Sequence, residues 1–540
     1  MPRKHRVLRF PLFKSNHSKI LKDSSRVRAG LSQERPSAFR VADAFTSEIL
    51  PVMNSPPCSR IELSSDLADL NARPLPSWYD AAKFGIFIHW GLWAIPAFAA
   101  RLGSITDAVK ADYDRAMAMI PYTEWYANAI KVAGTPSAQF HQQTYGDAPY
   151  EAFREPFLDG LKAWDPTAWA EVFRDAGAGY VVLVTKHHDG FCLWPSGICN
   201  PNQPDWSSGR DLVAELASAV RSAGLRFGVY YSGGMDWTFN RRPMKTIADV
   251  IGSKPGGAYP AYAEAQIREL IERYHPSVLW NDISWPTGQS RLNALFADYY
   301  RAVPEGVVND RWLTNGLAGR LVKFAPARRI LDWGIKRRLR SRPQSLEGIV
   351  PAPVPHSDFR TPEYARFPEI QAKKWEATRG MSHSFGFNRR DGEADYAAAE
   401  TLLCDFIDGV SKNGNLLLNV GPEPSGHIPE PQLRRLRFFG DWLRANGEAI
   451  FATHPWIRAE TSTADGLPVR FTHKGENLYL VILGACPGRR ITVRNLDVSG
   501  AATRLGDGAP VRLVKDGPDL ILELPSTVGG FAPAFRIAHA

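Results

Sequence analysis

Cysteine is scarce in this chain, with five in 540 residues at scattered positions. An odd and scattered set offers no disulfide framework, and no pair of cysteines has the spacing of a zinc site. The scarcity therefore favours a reducing compartment over an oxidising one.

Long apolar runs are also lacking. No stretch reaches the roughly 18 apolar residues that a membrane-spanning helix requires. Charges interrupt every apolar cluster near the N-terminus, so no secretory signal is visible. We expect no transmembrane segment and a cytoplasmic location. Residues 1–70 are basic, rich in serine and without periodicity, which predicts a disordered N-terminal extension. A targeting segment, or a start codon assigned upstream of Met53, would also explain them.

Acidic residues are few in two blocks. Residues 1–40 contain 11 Lys/Arg and 2 Asp/Glu, which leaves 54 of each sign in the other 500 residues. Residues 311–350 contain 10 Lys/Arg and 2 acids. Because no recognisable nucleic-acid module accompanies this charge, we expect no nucleic-acid partner. The stretch 313–355 is interpreted as an insertion in a surface loop, with contact to a membrane surface or an acidic glycan as the alternative.

Four short apolar runs end abruptly in polar and aromatic residues: 84–90 (FGIFIHW), 180–191 (YVVLVTKHHDGF), 227–236 (FGVYYSGGMD) and 278–285 (VLWNDISW). Apolar runs without alternation are typical of strands buried on both faces of a parallel sheet. Chemistry at the C-terminal ends of such strands is the layout of a barrel enzyme. We predict an α/β fold with a (β/α)8 TIM-like barrel over residues 71–449.

The pattern changes after Phe451. Short β-rich runs then alternate with Gly, Asn and Asp turns, which predicts a small C-terminal antiparallel β-sandwich over residues 450–540.

A barrel enzyme that hydrolyses glycosides needs two carboxyl groups beside the sugar. One is ionised, and the other carries a proton for the leaving oxygen. Asp282 follows an apolar run and should lie at the C-terminal end of its strand. Glu376 follows Trp375, which could desolvate it and raise its pKa towards that of a general acid.

Other chemistries have less support. His187 and His188 are adjacent and point to opposite sides of an extended chain, so they would chelate a metal poorly and no metal is predicted. We expect these two side chains and His89 to bond substrate hydroxyls instead. No G-x-S-x-G elbow and no G-x-G-x-x-G loop after a strand is present, so no cofactor is predicted.

Seven segments follow one another in order between about residues 75 and 455: 83–96 (KFGIFIHWGLWAIP), 124–126 (EWY), 185–191 (TKHHDGF), 230–237 (YYSGGMDW), 278–286 (VLWNDISWP), 308–312 (VNDRW) and 411–422 (SKNGNLLLNVGP). They resemble the motifs of α-L-fucosidases, glycoside hydrolase family 29. The resemblance implies a retaining double displacement, with Asp282 as the nucleophile and Glu376 as the acid/base. Because the acid/base is the least uniform feature of that family, Glu363 is a rival to Glu376.

The resemblance also implies a fucose pocket. Its expected lining is His89, Glu124, Trp125, His187, His188 and Tyr231, with Arg366 near the acid/base. Trp285 and Phe385 are candidates for the aromatic side chain that meets the C5 methyl group of fucose.

The resemblance therefore implies hydrolysis of terminal α-L-fucosyl groups from an oligosaccharide or glycoconjugate, through a covalent fucosyl-enzyme intermediate. We also expect the protein to form a homo-oligomer. Two alternatives are a non-catalytic fucose-binding protein and a glycosidase for a related sugar such as galactose.

Overall fold

The computed structural model describes residues 64–103, 105–314, 321–341, 350–486, 488–527 and 529–538. These residues belong to one compact unit, Glu62–Ala540. The predicted N-terminal extension lies outside them up to residue 63. Its last four residues, 67–70, are helical, so regular structure begins slightly earlier than the sequence predicts.

Seven parallel strands form the first sheet, in the order β5-β4-β3-β2-β1-β7-β6. Nearly every residue in them is buried, which is why their sequences show no alternation of polar and apolar side chains. Their bounds are β1 Phe84–Ile88, β2 Tyr180–Lys186, β3 Arg226–Ser232, β4 Val278–Asp282, β5 Val307–Val308, β6 Trp375–Gly380 and β7 Gly414–Val420.

The segment 358–364 fills the gap between the two edge strands, β5 and β6. On one side the Asp358 amide donates to the Val308 carbonyl at 2.9 Å. On the other side the Arg360 carbonyl accepts from the Glu376 amide at 2.8 Å, and a parallel bridge joins Glu363 to Thr378. The predicted TIM-like barrel is therefore present, with seven regular strands and an irregular eighth.

Amphipathic helices cover the barrel. In α9, for example, Asp211 caps the N-terminus and buried Leu212, Leu216 and Val220 face the sheet at four-residue spacing. The helices are α1 Leu67–Ala72, α2 Ser77–Ala82, α3 Ile105–Ala111, α4 Ala116–Met119, α5 Tyr126–Ala129, α6 Pro136–Tyr145, α7 Arg154–Gly160, α8 Pro166–Asp175, α9 Leu212–Ser222, α10 Ile247–Ile251, α11 Tyr259–Tyr274, α12 Gln289–Ala302, α13 Ala325–Ser341, α14 Ala399–Ser411 and α15 Glu430–Asn446. Within the described ranges, no helix is long and apolar enough to cross a membrane.

The C-terminal region is an antiparallel sheet of eight strands, in the order β11-β14-β13-β12-β15-β10-β9-β8. The first and last strands of this order meet, because the Arg494 amide donates to the Ser462 carbonyl at 2.9 Å and Thr463 bridges Val493. The sheet thus closes around one apolar core. Its strands are β8 His454–Ser462, β9 Pro468–Lys474, β10 Asn477–Ile482, β11 Arg490–Val493, β12 Ala501–Arg504, β13 Pro510–Asp516, β14 Asp519–Glu523 and β15 Ala534–Ala538.

Candidate active site

Asp282 is the last residue of β4, so it lies at the C-terminal end of the barrel. Its Oδ2 accepts a hydrogen bond from the Tyr230 hydroxyl and its Oδ1 accepts one from the Ile283 amide, both at 2.8 Å. Burial raises the pKa of this carboxyl, but the Arg311 cation and the Tyr230 hydroxyl hold the pKa below its ordinary value. Asp282 is therefore an ionised carboxylate with both oxygens held in place.

The backbone beside Asp282 is strained. Ile283 has a φ of 67°, in the left-handed region that a β-branched residue rarely adopts. This conformation accompanies the hydrogen bond from the Ile283 amide to the carboxylate. Strain of this kind, of order 1–3 kcal/mol, concentrates at functional sites.

Arg311 joins two carboxyl groups. Its Nη1 donates to Asp282 Oδ1 at 3.0 Å, and its Nη2 donates to Glu363 Oε2 at 3.0 Å. Thr361 fixes the guanidinium by accepting from Nε at 3.1 Å, and the Trp280 ring lies 4.8 Å away. One cation therefore holds Asp282 and Glu363 side by side.

Glu363 lies on the irregular eighth strand, level with Thr378 of β6. Its Oε1 accepts a hydrogen bond from the Tyr122 hydroxyl at 3.0 Å, and its residue surface is 7% exposed. Glu363 thus has one oxygen towards Arg311 and the other towards Tyr122. This is a second carboxyl group at the same end of the barrel as Asp282.

Glu376 lies elsewhere. It is the second residue of β6, four residues before the end of the strand, which is on the order of 13 Å along the barrel. It is fully buried, and its oxygens accept from the Tyr79 and Tyr180 hydroxyls at 2.8 and 2.5 Å and from Trp280 Nε1 at 3.2 Å. Burial raises its pKa to about 7. The prediction of Glu376 as the acid is therefore revised, because Glu376 lies near the start of its strand whereas Asp282 lies at the end of its own.

Three histidines lie at the C-terminal end of the barrel, and all three are neutral. Burial lowers the pKa of His89 to about 3, the pKa of His188 to about 4 and the pKa of His187 well below its usual range. The hydrogen bonds fix two tautomers. Asn419 donates its amide to the Phe385 carbonyl, so its oxygen accepts from His89 Nδ1 at 2.6 Å.

Ser232 fixes the second tautomer, because it donates its proton to the Met235 carbonyl and therefore accepts from His188 Nδ1 at 2.7 Å. In both His89 and His188 the Nε2 atom is left as an acceptor. His188 Nε2 lies 4.0 Å from Asp282 Oδ2. His187 Nδ1 is buried and has no hydrogen-bond partner in the described part of the chain.

Glu124, Trp125 and Phe385 surround this cluster. Glu124 Oε2 accepts from the Gly386 amide at 3.0 Å, and burial, with a smaller contribution from Glu363, raises the Glu124 pKa to about 7. The Trp125 ring meets the His188 ring edge-on at 5.3 Å, and the Phe385 ring lies 4.9 Å from the His89 ring. These three predicted residues are brought together with Asp282 and the histidines.

Tyr231 is not part of the cluster. Its hydroxyl donates to Gln266, and Lys186 Nζ lies 4.3 Å from its ring. Because side chains alternate along a strand, its neighbour Tyr230 points the other way, onto Asp282 and against the His187 ring at 5.6 Å. The prediction is corrected by one residue, from Tyr231 to Tyr230.

Trp285 and Arg366 also lie apart. The Trp285 ring packs against Trp312 at 5.0 Å, behind Gly233. The Arg366 side chain is 55% exposed and pairs with Asp405 at 2.6 Å. The arginine beside the second carboxylate is Arg311 instead.

Comparison with known proteins identifies the family of the chain. The family model described as alpha-L-fucosidase matches residues 55–329 and 343–448. The chain belongs to the α-L-fucosidase family, glycoside hydrolase family 29.

Among curated relatives of this α-L-fucosidase family member, the alpha-L-fucosidase of Branchiostoma floridae is 31% identical over 484 residues, covering 86% of this chain and 92% of that protein. The Thermotoga maritima alpha-fucosidase is 37% identical in two solved structures. Its complex with a mechanism-based inhibitor has a TM-score of 0.74 and covers 88% of this chain and 100% of that one. Its complex with fucose has a TM-score of 0.72, with coverage of 88% and 99%.

The sequence did not single out two residues that contact Asp282 in the candidate site, Arg311 and Tyr230. Both stand in segments that carry the resemblance, 308–312 and 230–237, so the signal was the motif rather than the residue. Among the residues that the structure describes, no three His, Cys, Asp or Glu side chains group as metal ligands would.

Proposed function

We propose that this chain is a retaining α-L-fucosidase in which Asp282 is the nucleophile and Glu363 is the acid and base. The observation that carries the proposal is the pair of hydrogen bonds from Arg311, which hold both carboxyl groups at the C-terminal end of the barrel. A retaining glycosidase requires two carboxyl groups close together, one of them ionised.

In the first step, Asp282 attacks the anomeric carbon of an α-L-fucoside while Glu363 gives its proton to the leaving oxygen. The C1–O bond breaks, and a fucosyl ester forms on Asp282 with inverted configuration. Asp282 suits this role because Arg311 and the Tyr230 hydroxyl keep it ionised and oriented.

In the second step, Glu363 takes a proton from water, and the water oxygen displaces Asp282 from the anomeric carbon. The two inversions give net retention. Arg311 can balance the charge throughout, because the negative charge lies on Asp282 before the first step and on Glu363 after it. The two hydrogen bonds from one guanidinium serve both states.

The three neutral histidines are suited to bind the sugar hydroxyls. The Nε2 atoms of His89 and His188 are acceptors for hydroxyl protons, and the buried Nδ1 of His187 has no protein partner within the described residues. A buried polar atom without a partner costs about 1–3 kcal/mol, which a sugar hydroxyl would recover. Phe385 beside His89 is the apolar surface suited to the C5 methyl group.

The test is turnover of 4-nitrophenyl α-L-fucoside beside the matching α-L-galactoside and β-L-fucoside, with the first product followed by proton NMR. We expect turnover of the α-L-fucoside alone, with α-L-fucose as the first anomer. Binding without turnover would make the chain a fucose-binding protein, and preference for the galactoside would make it a galactosidase. A β-anomer as the first product would contradict retention.

Membership of the family does not fix the substrate class, the location or the oligomeric state. We propose that the substrate is a fucosylated oligosaccharide or glycoconjugate; a cytoplasmic location and a homo-oligomer stay predictions.

A further inference from the structure

A buried ion pair that takes no part in the proposed reaction lies beside the site. Lys186 Nζ donates to Asp236 Oδ2 at 2.9 Å, and both side chains are fully buried. Burial lowers the pKa of Lys186, but Asp236, with smaller contributions from its neighbours, holds that pKa above its ordinary value. Lys186 is therefore a cation in the interior of the protein.

Both members of the pair are held in place. The ammonium group of Lys186 is surrounded by three aromatic rings, those of Tyr231 at 4.3 Å, Tyr262 at 5.3 Å and Tyr259 at 5.4 Å. Each ring attracts a cation at such a distance. Asp236 Oδ1 accepts from the Thr238 amide at 2.9 Å and from the Thr238 hydroxyl at 2.6 Å. The pair therefore has one geometry.

Stability alone is a poor explanation for this pair. Removing two charges from water has a free-energy cost that their attraction offsets only with good geometry, and apolar side chains of the same volume often stabilise a fold as well. What an ion pair adds over apolar packing is a fixed distance between the two chain segments that carry it. Here those segments are the end of β2 and the turn that follows β3.

The two segments meet a second time at the backbone of His188. Lys186 precedes His188 by two residues, and Asp236 directly precedes Trp237. The Trp237 amide donates to the His188 carbonyl at 2.7 Å, and the Trp237 ring meets the His188 ring at 5.6 Å. The ion pair and this hydrogen bond thus tie residues 186–188 to residues 236–237 at both ends.

The residue on the other side of Asp236 fixes the His188 ring. The Met235 carbonyl accepts the proton of the Ser232 hydroxyl at 2.6 Å, and Ser232 Oγ in turn accepts from His188 Nδ1. Both neighbours of Asp236 therefore hold His188, one at its carbonyl and one, through Ser232, at its imidazole.

A β-bulge marks the place where Lys186 leaves β2. Val184 is opposite Tyr230 and Lys186 is opposite Tyr231, so two steps along β2 match one step along β3. Such a bulge changes the direction of a strand and re-aims the side chains that follow. Lys186 lies against the Tyr231 ring, on the side of the sheet away from Asp282. The pair therefore anchors the bulge from behind, directly before the histidines.

We propose that Lys186 and Asp236 are positioning residues for His188. Their ion pair holds the end of β2 and the turn after β3 together, so that His188 Nε2 faces the sugar. This inference rests on the proposed function. Because His188 Nε2 lies 4.0 Å from Asp282 Oδ2, a looser imidazole would lose its contact with the sugar and disturb the nucleophile. The sugar would also have to order that imidazole on binding, which weakens affinity.

The experiment is a double-mutant cycle between Lys186→Met and His188→Ala, read as kcat/KM for 4-nitrophenyl α-L-fucoside. We expect Lys186→Met to lower kcat/KM by about 10- to 100-fold in the native chain and by less than about twofold in the His188→Ala background, because its effect passes through His188. In the His89→Ala background Lys186→Met should keep most of its effect, since Asn419 holds His89 separately. Equal effects in the native and His188→Ala backgrounds overturn the proposal.

A second readout separates positioning from loss of stability. Partial unfolding lowers kcat and leaves KM unchanged, whereas a misplaced His188 should raise both KM and the Kd for L-fucose. The matched control is Lys412→Met, which breaks the buried Lys412–Asp408 pair of 2.8 Å just before β7, at the other end of the barrel. This control should leave KM and Kd within about twofold of native. A raised kcat loss with native KM and Kd in Lys186→Met would make the pair a structural element only.

Because Lys186→Met leaves Asp236 buried without its cation, a second variant combines it with Asp236→Asn. The double variant removes both charges and keeps an acceptor for Thr238, and it should show the same dependence on His188. If neither variant folds, the pair is structural and the proposal is overturned.

The cycle is repeated with the Kd for L-fucose from calorimetry, which requires no turnover. A native chain that shows the expected coupling in Kd but hydrolyses no fucoside would contradict the proposed function alone. Hydrolysis without coupling would contradict the positioning role alone. A native chain that neither binds L-fucose nor hydrolyses the fucoside would contradict both.

Discussion

Buried carboxyl groups at the two ends of the barrel have different environments. At the C-terminal end, Asp282 shares the Arg311 cation with Glu363 and stays ionised. Towards the N-terminal end, Glu376 has neutral donors only among its hydrogen-bond partners, two tyrosines and Trp280, and its pKa rises to about 7. A raised pKa alone is therefore no sign of a general acid in this protein. Access to the sugar depends on the strand position.

Trp280 separates the two environments. Its indole N–H donates to Glu376 Oε1 at 3.2 Å, and the Arg311 guanidinium lies 4.8 Å from its ring. We infer that Glu376 with its two tyrosines supports the base of the barrel, whereas Asp282 and Glu363 carry out the reaction. The predictions below separate the two ends.

Loss of the nucleophile should have the largest effect. We expect Asp282→Gly to lower kcat by about 10⁴-fold or more, over 5 kcal/mol of transition-state stabilisation, because no other carboxylate replaces it. Azide should restore part of the rate and give the β-fucosyl azide, since a single inversion then occurs. Residual kcat above about a tenth of native, with an unchanged thermal midpoint, would mean that Asp282 is not the nucleophile.

Loss of the acid should depend on the leaving group. We expect Glu363→Ala to lower kcat/KM by about 10²- to 10⁴-fold on a fucosyl disaccharide, whose leaving alcohol needs a proton. A 2,4-dinitrophenyl fucoside, whose leaving group needs none, should lose much less. Glu376→Gln is the matched control and should leave both rates within about twofold. The opposite pattern for the two glutamates would restore Glu376 as the acid.

A smaller effect is expected at the neighbouring tyrosines. Tyr230→Phe removes the hydrogen bond that the Tyr230 hydroxyl donates to the Asp282 carboxylate. A hydrogen bond to a charged group contributes about 1.5–3 kcal/mol, so we expect kcat/KM to fall by about 10- to 100-fold. The lost bond also raises the pKa of Asp282. Activity falls as pH drops through that pKa, so the acid limb of the pH profile should move to higher pH. Tyr231→Phe should leave the limb in place, and a shift of equal size in both variants would contradict the assignment.

The smallest effect on activity, and a distinct effect on stability, is expected for Glu376→Gln. The folded pKa of Glu376, about 7, lies above the unfolded value, so its contribution to stability is full below about pH 4.5 and declines as pH rises through 7. Glutamine removes this dependence. The free energy of unfolding of the variant relative to native should therefore rise by up to a few kcal/mol between about pH 5 and pH 8. Denaturant unfolding at both pH values checks it, and a constant difference would mean that Glu376 does not titrate there.

The sequence alone was enough to predict the barrel and Asp282, because strands buried on both faces must be apolar and a carboxylate directly after one must lie at its end. It was harder to predict which side chains of a strand point into the barrel. Tyr230 and Tyr231 are adjacent in an apolar run, so only the sheet register decides which of them reaches Asp282. Flanking Trp375 marked Glu376 as desolvated but gave no indication of the end of the barrel at which it lies.

Arg311 and Glu363 could not be paired from the sequence for another reason. They are 52 positions apart, and the insertion 313–355 lies between them. Their contact depends on segment 358–364, whose irregular backbone shows no strand pattern. Arg366, closer to Glu363 in sequence, instead points to solvent and pairs with Asp405.

The stereochemistry of azide rescue tests the central claim most directly. With Glu363→Ala, azide should attack the fucosyl ester on Asp282 and give the α-fucosyl azide, since two inversions then occur. Glu376→Ala should give no azide adduct under the same conditions. An α-fucosyl azide from the Glu376 variant, with none from the Glu363 variant, would contradict the assignment of catalysis to the Asp282–Arg311–Glu363 cluster.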